Sequence, residues 1–264
     1  MNKLSMLVAG ALLMAMTSIA AAQSAQSSAL GCQGLPNANQ LRQLMQGAAI
    51  PDNPALSAVL RAGNGNSLGG LFLGTRMWGA VVNRNGQLCA WNTSRADATD
   101  VWPGSQAIAK AKAFTANAFS LSASGGGFPL STAQLYTFVQ PGHSLFGLNQ
   151  SNPFNPNFLI PPSGSTLGLG QVAGGIITFG GGVALYNGNQ LIGGLGISGD
   201  TACTDHEIAK RARDLAGLNP PAGPTGDDIS YSSADGASPF THPLCPNTFR
   251  NEKFIGNELN AKGY

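Results

Sequence analysis

Apolar positions along the chain alternate between two periods, 3.6 and 2, and the switches mark its elements. From Asn37 to Arg61 they fall at Leu41, Leu44, Met45 and Ala48, then at Leu56, Val59 and Leu60. This predicts two helical pieces, divided where Pro51 and Pro54 remove backbone donors. Met77–Val82 and Leu88–Trp91 flank Asn83-Arg84-Asn85-Gly86, a turn sequence, and predict a β-hairpin. Ser105 can cap an alanine-rich helix over 106–120, carrying Ile108, Ala109, Ala113, Ala116 and Phe119. Residues 131–138 predict one short helix. Apolar runs follow at Ile176–Phe179 and Val183–Tyr186, broken by Gly180–Gly182. Asn187-Gly188-Asn189 then turns the chain into a return strand, Gln190–Ser198, whose glycines at 193, 194 and 196 predict close approach of another backbone. Thr204 and Glu207 read as a capping box opening a helix to about Leu215, stopped by Gly217. The order helix, hairpin, helix, long loop, hairpin, helix predicts an α+β fold: helices against one sheet, with no second domain.

Charge changes this picture in one region. Only 10% of the 264 residues are charged, against about 25% in an average domain. The deficit concentrates between Lys112 and Asp200, which enclose no Asp, Glu, Lys or Arg. Gly, Ser, Asn, Gln and Pro interrupt this stretch too often for a membrane span. It reads as buried strand plus an uncharged ordered insertion over about 121–172. From about residue 218 the chain is polar and turn-rich. A net charge of +2 gives no basic surface for nucleic acid.

The first residues carry an address. Met1-Asn2-Lys3, an apolar run to Ala22 and the small residues Ala20-Ala21-Ala22 fit a secretory signal peptide over 1–22. This leaves a single domain at 23–264, no membrane span after cleavage, and a bacterial periplasmic or secreted location. Cys32, Cys89, Cys203 and Cys245 form no Cys-x-x-Cys pair. An even number in an exported chain points to two disulfides with three connectivities, of which Cys32–Cys89 with Cys203–Cys245 is favoured. Such bonds would each contribute about 2–4 kcal/mol.

Candidate chemistry is sparse. His143, His206 and His242 have no metal-type spacing, and no Gly-x-Ser-x-Gly elbow or phosphate loop occurs. His206 stands out, placed in a first helical turn between Asp205 and Glu207. A helix N-terminus favours the neutral imidazole, the form that ligates metal. His143 lies in the neutral loop and could reach a pocket. His242, beside Pro243 and Cys245, reads as structural, as do Trp91 and Trp102.

Three segments together resemble the GlcG/HbpS-type haem-binding family. They are Ala80–Leu88, Trp102–Lys112, and Phe179–Asp200 continuing through Asp205-His206-Glu207-Ile208-Ala209. The Gly/Pro/Asn insertion and His242-Pro243-Leu244-Cys245 are similar to an exported subgroup. The resemblance implies a profilin-like α/β/α sandwich with a five-stranded antiparallel sheet flanked by helices, association into homo-oligomers, and haem or a related tetrapyrrole as ligand. Candidate ligand contacts are His206, Asp200, Phe179, Lys112 and His143, with His206 the candidate metal ligand. Lys110, Lys112, Lys210, Arg211 and Arg213 flank the neutral region as partners for propionates. The expected function is exported haem binding or sequestration rather than catalysis. The alternatives are an oligomeric assembly module without a small ligand, or an accessory protein or enzyme for small organic acid metabolism.

Overall fold

A computed structural model describes residues 31–49, 68–155 and 168–258. The described residues from Leu35 onward belong to one compact unit, and residues 31–34, a turn, fall outside it. The expected signal peptide, the second helical piece after Pro51 and residues 156–167 of the insertion lie outside the described residues.

Helix α1 (Ala38–Ala48) begins at Asn37, whose Oδ1 accepts from the amides of Asn39 and Gln40 while the Gln40 side chain answers the Asn37 amide. Its buried face is Leu41, Met45 and Ala48, the i, i+4, i+7 stripe of the sequence. Strands β1 (Trp78–Asn83) and β2 (Leu88–Thr93) form the first hairpin. Asn83 Oδ1 holds the turn by accepting from the Asn85 and Gln87 amides, and Gly86 takes φ +77°. Helix α2 (Ser105–Phe119) follows, then the insertion, then the hairpin of β3 (Gly182–Asn187) and β4 (Gln190–Ser198), then helix α3 (Ala202–Leu215). The sheet is antiparallel in the order β2-β1-β4-β3.

Each face of this sheet buries a different set of side chains. Leu41 and Met45 of α1 and Ile208, Ala209 and Ala212 of α3 pack with Val81, Val183, Leu195 and Ile197. Ala109 and Ala113 of α2 pack on the other face with Trp78, Ala80, Val82 and Trp91. The strands therefore alternate inward on both sides, as a sheet between two helical layers requires. The glycines of β4 set the spacing to α2: a Cβ at Gly194 or Gly196 would collide with the carbonyl oxygen of Ala113 or Ala109.

The fold class is the expected α+β sandwich, with local corrections. The main sheet has four strands among the described residues, not five, because loops close its outer edge. Gly182 donates to Thr132 Oγ1, Ala184 accepts from Arg213 Nη1, and Tyr186 donates to the Leu218 carbonyl. Three of the outward backbone groups of β3 are thereby satisfied without another strand. Ile176–Phe179 precedes β3 outside any strand. Helix α3 starts at Ala202 rather than at Thr204, since Thr201 is the N-cap and accepts from the Thr204 amide. Ser105 is the first helical residue rather than the cap. The expected helix at 131–138 is two 3-10 turns, Thr132–Leu135 and Thr137–Val139.

The C-terminal extension is structured. Short strands β5 (Ser230–Tyr231) and β6 (Thr241–His242) pair in parallel, and β7 (Thr248–Arg250) pairs with β8 (Lys253–Gly256). A Cys203–Cys245 disulfide ties the extension to α3. No described cysteine is free.

Candidate functional site

Four of the sequence candidates, Lys112, Phe179, Asp200 and His206, converge where Gly180-Gly181-Gly182 leads into β3. A Cβ at Gly181 would lie 2.7 Å from Lys112 Nζ and 2.9 Å from Asp205 Cβ, and one at Gly180 would lie 3.0 Å from His206 Cβ. The glycine run thus lets the chain pass between α2 and α3. Lys112, from α2, donates to Asp205 Oδ2 at 2.7 Å and to the Ile197 carbonyl at 3.0 Å. Its ammonium also stands 4.9 Å from the Phe179 ring centroid. Both partners of the ion pair are buried. Burial pushes the Lys112 ammonium down and the Asp205 carboxyl up to about 6, and the Coulomb attraction between them opposes both shifts. A group this enclosed and this well bonded positions three elements. It does not offer a charge to a ligand.

Asp200 continues the same network, its amide donating to Asp205 Oδ1 at 2.9 Å. Its carboxylate accepts from the amides of Leu71, Phe72, Gly74 and Thr201, at 2.7, 2.9, 3.1 and 2.7 Å. Asp200 therefore shapes the turn that holds Leu71, Phe72 and Leu73 at the surface.

His206 is 0% exposed, and neither ring nitrogen has a hydrogen-bond partner. Asp228 Oδ1 lies 3.6 Å from Nε2, beyond hydrogen-bond length. Burial, with Lys210 and Arg213 nearby, holds its pKa down to about 3, so the ring is neutral at physiological pH. With α3 starting at Ala202, His206 falls past the first turn and faces the core. His242 is buried too, and its pKa is held down to about 4 mainly by burial. Nε2 accepts from the Gly180 amide, and its ring packs on Tyr136 at 5.1 Å. His143 is exposed, on the turn 140–146 of the insertion.

The other flanking cations are also engaged. Arg213 is fully buried in a two-pronged pair with Asp227, at 2.6 and 2.9 Å, and also bonds the Ala184 and Pro224 carbonyls. Lys210 pairs with Glu207 and Asp228, and Arg211 with Glu207 and Glu252. Lys110 is buried against the Trp91 ring at 4.5 Å. A cleft of about 280 Å³ opens among Glu207, Lys210, Arg211, Asp214, Asn251 and Glu252. It is small and lined by ions, whereas porphyrin-sized ligands take largely apolar pockets. Sequence reasoning missed the structural pairing of Asp205 and of Asp227. A usable signal was present for one of them: Lys112 shares the small-residue face of α2 with Ala109, Ala113 and Ala116, and a lysine there must be buried and paired.

No helix among the described residues is long and apolar enough to cross a membrane. The family model described as haem degrading protein, HbpS-like, matches residues 71–214. The chain is 33% identical over 141 residues to corrinoid adenosyltransferase PduO of Citrobacter freundii, covering 53% of this chain and 31% of that protein. It is 34% identical over 115 residues to the PduO of Salmonella typhimurium, covering 44% and 25%. The chain thus spans about a third or less of the length of these curated relatives. Among solved structures, a PduOC–haem complex is similar at 24% identity and a TM-score of 0.41, covering 67% of this chain and 92% of that one.

Proposed function

The chain belongs to the HbpS-like family, and we propose that it is an exported haem-binding protein in which His143 supplies the iron ligand. The observation that carries this reading is the fate of the three histidines. His206 and His242 are 0% and 3% exposed, whereas His143 stands at the surface. Its turn is built from the uncharged insertion: the His143 amide donates to the Gln140 carbonyl, the Leu145 amide to that of Phe138, and the Phe146 amide to that of His143. Phe146, 66% exposed, follows it, and Phe138 packs edge-on against Phe240 at 5.6 Å.

These residues fit the group. An accessible imidazole beside exposed aromatic carbon is what an axial ligand and a porphyrin face need. Bound haem would supply an iron centre, and the His143 imidazole would hold it. Lys112, Phe179 and His206 act beneath this surface, as the packing that holds the insertion's base against α2 and α3. Asp200 acts as a positioning residue for the Leu71–Gly74 turn. Export rests on the signal-peptide pattern of residues 1–22, and self-association on the family resemblance. Adenosyl transfer is named for the whole PduO protein and is not carried over to this chain.

Haemin titration of the purified protein tests the reading. Saturable binding with a shifted Soret band is expected. His143→Ala should weaken it at least tenfold, and His206→Ala should leave it within about twofold. No saturable shift, or dependence on His206 rather than His143, overturns it.

A further inference from the structure

The C-terminal extension brings three soft or borderline donors together beneath the N-terminus of α3. Cys203, Cys245 and His242 each offer one atom, and these atoms lie within 4.8 Å of one another. All three residues are buried. They come from two separate stretches, Cys203 from α3 and the other two from the His242-Pro243-Leu244-Cys245 run, so the fold itself assembles the group.

Two further contacts prepare it. His242 Nδ1 lies 2.7 Å from the Pro243 carbonyl oxygen. A carbonyl only accepts, so Nδ1 carries the proton and the Nε2 lone pair faces outward from the ring. Nε2 now receives only the Gly180 amide, at 3.3 Å. The Cys203 amide, in the first turn of α3, points at Cys245 Sγ at 3.2 Å. A donor there stabilises a thiolate over a thiol.

The geometry points to a second state of this centre: we propose that opening the Cys203–Cys245 disulfide converts it into a Cys2His site for a soft monovalent cation, Cu+. The opening needs a dithiol reductant. That reductant gives up two electrons and two protons and becomes a disulfide, the Cys203–Cys245 S–S bond breaks, and two thiols form. Binding Cu+ then releases the two thiol protons to solvent, and the His242 ring supplies the third donor. Thiolate sulfur selects soft cations. The group holds three donors, one short of the four a structural zinc site requires. The two thiolates and Cu+ leave one net negative charge, which the Cys203 amide and the positive end of the α3 dipole offset. This site is independent of haem and of His143, and either reading can fail without the other.

The test uses the full mature chain with Cys32 and Cys89 both replaced by Ser, so that only the Cys203–Cys245 pair reports. The protein is reduced, freed of reductant under anaerobic conditions, and titrated against Cu+ held by a coloured bidentate chelator. The reduced protein is expected to withdraw one equivalent of Cu+, with new thiolate-to-copper absorbance in the ultraviolet, and the oxidised protein none. His242→Ala should weaken the site at least tenfold. His242→Gln, whose amide oxygen can still accept from Gly180, should weaken it as much while keeping the native circular dichroism. Three results overturn the proposal: no uptake by the reduced protein, loss of its folded spectrum on reduction, or uptake by both His242 variants equal to that of the parent.

Discussion

Two buried neutral histidines make this fold sensitive to mild acid. His206 and His242 are enclosed, with pKa values held down to about 3 and about 4 from an ordinary 6.5. Above pH 6.5 both rings are neutral whether the chain is folded or not, so they add no pH dependence. As pH falls below 6.5 the unfolded chain takes up two protons that the folded chain refuses, and stability declines. At pH 4.5 each ring costs on the order of 2–3 kcal/mol, a sum of about 5 kcal/mol. Asp205 acts in the opposite direction. Burial raises its carboxyl to about 6, so the folded state binds this proton first and recovers about 2 kcal/mol by pH 4.5. The net loss between pH 7 and pH 4.5 is therefore about 3 kcal/mol, a large part of a domain's usual 5–15 kcal/mol. Urea unfolding at a series of pH values, with the disulfides intact, reads this directly. His206→Gln removes one titrating ring and should flatten the curve by about 2 kcal/mol over the same interval, whatever its effect at pH 7. If wild type and His206→Gln lose stability in parallel, the enclosure of His206 is not what the structure describes.

Three other substitutions test the frame around it. Lys112→Met leaves Asp205 buried without its cation and should cost about 3–5 kcal/mol in denaturant unfolding. The double variant Lys112→Met/Asp205→Leu should recover a large share of that loss. Gly196→Ala puts a Cβ into the Ala109 carbonyl and should lower stability by at least about 2 kcal/mol through forced separation of α2 from β4, visible as a lower thermal midpoint. Asp200→Ala removes the acceptor of the Leu71, Phe72 and Gly74 amides. It should speed hydrogen exchange at those three amides while leaving the β1–β4 ladder protected.

The hairpins were legible because their turns carry their own chemistry. Asn83-Arg84-Asn85-Gly86 specifies a turn through an Asn side chain and a left-handed Gly, and the glycines at 194 and 196 mark a helix pressed on the sheet. Helix α1 was legible for the same reason, its apolar stripe and its Asn37 cap being local. The errors arose where two local signals compete or where long-range contacts decide. Thr201 and Thr204 are both good caps, and the choice of Thr201 moves His206 from a part-exposed first turn into the core. Arg213 read as a partner for propionates, but Asp227, from the extension, closes on it. The outer edge of β3 is finished by Thr132, Arg213 and Leu218, three residues from three separate segments, and no periodicity could have announced them. Family resemblance gave the α/β/α frame. It did not carry the burial of the three histidines, because which of them remains at the surface depends on long-range packing.

The measurement that bears most directly on function is haemin binding by three proteins in parallel: wild type, His143→Ala and His206→Ala. The account predicts a saturable Soret shift for wild type and for His206→Ala, and at least tenfold weaker binding for His143→Ala. Equal binding by all three, or none by wild type, would contradict it.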